Sequence, residues 1–76
     1  MTSKQKILEK WTNKIKESEA NGQFLWKSQA QQNYSIISTN TTKKALELLK
    51  AEYEKYSDMM ISSFIKEAIQ DLEELE

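Results

Sequence analysis

Glu67, Asp71 and Glu74 stand at i, i+4 and i+7 in the stretch EAIQDLEELE, where five of ten residues are acids. On a helix this spacing lines the carboxylates along one edge. Such a row could hold a hard cation, serve as acid or base, or pair with cations of another surface. A calcium site takes about six to eight oxygens, mostly from a loop, which two helical carboxylates do not supply. The chain has no His and no Cys, so the commonest general base, the thiol nucleophile and the soft metal ligands are missing. It has no Arg to clamp phosphate and no Gly-rich phosphate loop. The residue set speaks against an enzyme, and no cofactor or metal is expected.

The basic counterpart is Lys6, Lys10 and Lys14, at i, i+4 and i+8 beside the apolar residues of the same segment. These lysines could neutralise phosphates, with Lys4, Lys16, Lys43 and Lys44 adding to them. Base reading leans on Arg, however, and the formal net charge is -1. A nucleic-acid or nucleotide-binding module is therefore the alternative role, with Lys6, Lys10 and Lys14 as its residues. Membrane-surface binding through this Trp-bearing segment ranks lower, because its short apolar stripe is needed for a core.

The near-neutral total conceals a dipole. Residues 1–50 carry nine Lys against four Glu, and residues 51–76 carry two Lys against eight acids. Three readings follow. The edges are solvated rims of amphipathic helices; or they face each other, within a subunit or across a dimer, and fix orientation; or the acidic edge docks into a basic groove of another protein. An acid run near a helix C-terminus opposes the helix dipole, which favours a basic neighbour without naming it.

Tyr53, Tyr56, Met59 and Met60 form the densest cluster of adaptable, amphipathic side chains, and Phe64 follows close by. With Glu67, Asp71 and Glu74 they make up the expected partner-binding surface. The other aromatics, Trp11, Phe24, Trp26 and Tyr34, are expected mostly in the core, with any surplus acting as interface anchors.

The elements that position these residues are helical. One Gly and no Pro in 76 residues, with Leu, Ile, Lys, Glu, Ala and Gln abundant, describe an all-α chain. Thr2 or Ser3 can cap a first helix running to about Ala20, with Ile7, Leu8, Trp11 and Ile15 on its apolar face and Asn21-Gly22 as its stop. Residues 23–38 read as a helix with Trp26, Ala30, Tyr34 and Ile37 on one face, or alternatively as a short β-hairpin, which would make the fold α+β. The run Ser38 to Thr42 breaks the chain and starts a helix near Thr41 or Thr42. From there one helix of about 34 residues could run on. Yet Leu46, Leu49, Tyr53, Tyr56 and Met60 lie out of phase with Ile61, Ile65, Ala68, Leu72 and Leu75 by about 100°. A break or bend at Ser57-Asp58, both competent N-caps, is the expectation.

The expected architecture is thus one helical domain over residues 1–76, a bundle of three to four helices. So small a chain buries little surface, which points to a homodimer or higher oligomer. Without an apolar leader segment or membrane span, a cytoplasmic setting is expected. Eleven Lys with no Arg and no Val fit an AT-rich genome, as many phages and low-GC bacteria have. The expected role is a non-enzymatic, stoichiometric protein-binding regulator, such as an inhibitor encoded by a phage or mobile element; a purely structural self-assembly protein is the third alternative.

Overall fold

A computed structural model describes residues 3–75 as four helices with no strand. They are α1 (Lys4–Ala20), α2 (Phe24–Thr39), α3 (Thr42–Lys55) and α4 (Ser62–Glu73). The hairpin alternative for residues 23–38 is thereby corrected, since that segment lies in α2. Its polar centre, QAQQN, supplies no Gly or Asp for a tight turn and instead continues the helix.

Side chains written into the sequence set several boundaries. Ser3 Oγ accepts the Lys6 N–H at 3.3 Å and caps α1; Thr2 lies outside the described residues. At the other end Gly22 adopts φ +68°, Gln23 N–H donates to Ser18 O and Gly22 N–H to Glu19 O. These two bonds are those of a Schellman stop, which needs a left-handed residue where glycine sits. Thr41 Oγ1 accepts the Lys44 N–H at 3.2 Å and caps α3.

Residues 56–61 interrupt the C-terminal half, so the single long helix does not form. The expected caps are corrected too: α4 begins at Ser62 after Ile61, and neither Ser57 nor Asp58 caps it. Successive turn bonds, Met59 N–H to Tyr56 O and Ser62 N–H to Met59 O, carry the chain across the gap. Within this connection Tyr56 packs against the core, while Ile61 is half-buried at its end.

The helices make two hairpins, α1 packing chiefly on α2 and α3 chiefly on α4. Each helix contributes a stripe to one shared core. Ile7 and Trp11 come from α1, Ala30, Ile36 and Ile37 from α2, Ala45, Leu46 and Leu49 from α3, and Ile65, Ala68 and Leu72 from α4. On α2 the buried face is turned from the expected one. Tyr34 is exposed, whereas Gln29 and Asn33 are buried. Their polar groups are accounted for: Gln29 Nε2 donates to Asn33 Oδ1 at 2.9 Å, and Asn33 Nδ2 donates to Phe64 O at 3.2 Å.

Candidate protein-binding site

Phe64 links the hairpins. Its ring meets Trp11 edge-on at 5.3 Å between centroids and Trp26 at 4.6 Å, and the Lys14 ammonium lies 5.2 Å from its centroid. Offset and edge-on aromatic contacts of this kind add about 0.5–1.5 kcal/mol each beyond the area they bury. Phe64 is therefore half-buried inside the bundle rather than presented to solvent.

The two charged edges flank this aromatic contact and meet within one chain. Lys10 Nζ lies 2.7 Å from Glu67 Oε2 and 3.0 Å from each carboxylate oxygen of Asp71, while Lys14 Nζ lies 3.6 Å from Glu67. Burial alone would raise the Glu67 pKa, but the hydrogen bond and charge of Lys10, with help from Lys14, hold it below the ordinary carboxylate range. For Lys10, burial would lower the pKa, and the bonds to Glu67 and Asp71 outweigh it, so the ammonium is held above its usual value. Glu74 and Lys6 lie on the exposed surface.

The remaining expected contact residues separate in the same way. Tyr53 and Tyr56 are half-buried against the core. Met59 is exposed, and Met60 is 81% exposed. Beside these methionines stand Phe24, at 69% exposure and so outside the core in which the aromatics were mostly expected, and Leu25, at 68%.

Geometry explains the gathering. The α1–α2 turn ends at Gly22-Gln23, so α2 opens with Phe24-Leu25-Trp26 at the end of the bundle where the 56–61 connection also passes. Together Phe24, Leu25, Trp26, Met59, Met60 and Ile61 line an apolar groove of ≈ 550 Å³. A second groove of ≈ 380 Å³ shares Leu25, Met59 and Ile61 and reaches Gln32, Glu52 and Tyr56. A third, of ≈ 350 Å³, shares Trp26 and Met60 and reaches Lys14, Glu17 and Phe64. The three form one tract around the end of the molecule.

No protein family, curated protein or solved structure matches this chain. Among the described residues no helix is long and apolar enough to cross a membrane, and no three metal-ligating side chains converge. The apolar tract offers exposed, adaptable contact area from Phe24, Leu25, Met59 and Met60.

Proposed function

We propose that this chain is a non-enzymatic protein-binding module that acts stoichiometrically, by covering a segment of a partner protein with the tract at the turn end of the bundle. The observation that carries the reading is the solvent exposure of Phe24, Leu25, Met59 and Met60 side by side. Single exposed apolar residues need no explanation, but a contiguous set with aromatic and methionine anchors suits a recognition surface.

Charge favours a protein partner over a nucleic acid. Lys10 and Lys14, two of the three lysines of the alternative reading, are held by Glu67 and Asp71. Around the tract Glu17, Glu52 and Asp58 form no ion pair among the described residues, so a phosphate backbone would meet uncompensated acids. The same ion pairs engage Glu67 and Asp71 at home, which moves the proposed contact from the acidic row of α4 to the apolar end.

The test is site-specific photo-cross-linking. Benzoylphenylalanine in place of Phe24, in cells that make the protein, should give an adduct whose partner can be identified by mass spectrometry and then purified. Its affinity should fall at least tenfold, as for loss of an interface anchor, when Met60 is changed to Asp, with the helical circular dichroism unchanged. An affinity indifferent to Met60→Asp, or cross-links only to a second copy, would count against a foreign protein at this site.

A further inference from the structure

We infer that the segment received by the tract is an amphipathic α-helix with large apolar residues on one face and Lys or Arg along its flank. The inference rests on the protein-binding reading above and names its partner chemistry. Three features lead to it.

The first is backbone hydrogen bonding. An extended peptide usually docks by adding a strand to a sheet edge, and the described residues contain no strand. A helix satisfies its own N–H and C=O groups and asks of its receptor only apolar contact. Anchors at i, i+3, i+4 and i+7 would lie across the adjoining grooves, with Glu52 lining one side groove and Glu17 the other.

The second is adaptability. Met59 and Met60 are unbranched, exposed and carried on a connection rather than inside a helix, so their side chains can rearrange around different apolar anchors. Trp26 and Phe24, on α2, supply the groove's aromatic lining.

The third is the sign of the charge at the rim. Glu17 and Glu52 line the side grooves, and Asp58 adjoins Met59 in the exposed connection. The nearby cations are each engaged: Lys14 with Glu67 and the Phe64 ring, Lys27 with Glu19 at 3.4 Å, and Lys55 over the Tyr56 ring at 5.4 Å. The ring contact leaves the Lys55 charge in place, but Glu17, Glu52 and Asp58 outnumber it, so the rim presented to an incoming flank is net negative. Complementary rim charges of this kind select partners and speed encounter more than they add affinity.

The experiment uses the whole protein, labelled with nitrogen-15, and three synthetic helical peptides about 18 residues long, above the length at which isolated helices become marginal. One carries Leu at i, i+3, i+4 and i+7 with Lys flanks; its isomer carries Glu flanks; the third keeps the Lys flanks and replaces the Leu face by Ala. The first should shift the Trp26 indole N–H and the amides of residues 24–25 and 59–61. It should bind about tenfold more tightly than the Glu isomer at low salt, a gap that narrows at high salt, and the Ala peptide should not bind. The triple variant E17Q/E52Q/D58N should equalise the two Leu peptides while both still bind.

Equal binding of the two Leu peptides to the unaltered protein would overturn the basic-flank inference and leave the tract standing as a protein site. If neither Leu peptide binds while a cross-linked partner still depends on Met60, the occupant is not a helix of this kind. Shifts at the same resonances on concentrating the protein alone would make the occupant a second copy and overturn the inference. If neither peptides nor cross-linking report on the tract, the inference and the functional reading fall together.

Discussion

Lys10 on α1 donates to both carboxylate oxygens of Asp71 on α4, each at 3.0 Å, across 61 residues of sequence. The same ammonium also lies 2.7 Å from Glu67, so one cation holds two acids that stand one helical turn apart and repel each other. Lys14 contacts Glu67 alone, at 3.6 Å. Changing Lys10 to Gln is expected to cost about 0.5–1 kcal/mol in urea denaturation, and changing Lys14 to Gln less than about 0.5 kcal/mol. The Lys10 deficit should shrink in about 1 M salt. Equal costs for the two lysines would show that the longer contact carries as much as the shared one.

The pH dependence follows from the two displaced ionisations. Glu67 is held below its ordinary range, so its contribution is present above the unfolded pKa of about 4.3 and is lost as pH falls through the lower folded value. Lys10 is held above its ordinary range, so its contribution is present below about pH 10.4 and is lost as pH rises through the higher folded value. The stability gap between the unaltered protein and Glu67→Gln should accordingly be wider at pH 7 than at pH 3. A gap that stays constant would separate Glu67 from the lysine contacts.

Phe64 and Phe24 allow a test with identical chemistry. Phe64 lies between two tryptophans, and Phe24 stands in solvent. By calorimetry, Phe64→Ala should destabilise by about 3 kcal/mol, whereas Phe24→Ala should stay within about 0.5 kcal/mol. A large loss at Phe24 would mean that its side chain is covered in solution.

Gly22 tests backbone alone. No atom would lie within 4 Å of a Cβ at this position, so Gly22→Ala meets no clash and bears only the strain of φ +68°. The expected cost is about 1 kcal/mol, with Gly22→Asn costing less because Asn tolerates the left-handed region better. Thermal melts of the two variants give the order, and a neutral Gly22→Ala would show that the turn relaxes.

Much of this structure is written locally. The Ser3 and Thr41 caps, the Gly22 stop and the phase shift between Met60 and Ile61 are all short-range signals, and they place four helices. The rotation of α2 is not local. Gln29 and Asn33 are polar by any periodic reading, and they are buried because Asn33 finds the carbonyl of Phe64, 31 residues away. The start of α4 was hidden as well: Ser57 and Asp58 are good caps in isolation, but the chain there is held in successive turns, with Tyr56 packed on the core. The candidate site was legible by half. Met59 and Met60 stood out by their clustering, while Phe24 and Phe64 are the same residue type, and only the assembled hairpins decide which of them faces water.

The connection at residues 40–41 divides the chain into halves of opposite sign. Residues 1–40 hold six lysines and three glutamates, and residues 41–76 hold five lysines and nine acids. Between them run the Lys10 contacts to Glu67 and Asp71, the two aromatic contacts of Phe64 and the Asn33 bond to its carbonyl. The two hairpins are therefore matched in charge as well as in shape. As the chain folds, opposite charge draws its halves together, and Phe64 is the key that must find its slot between Trp11 and Trp26.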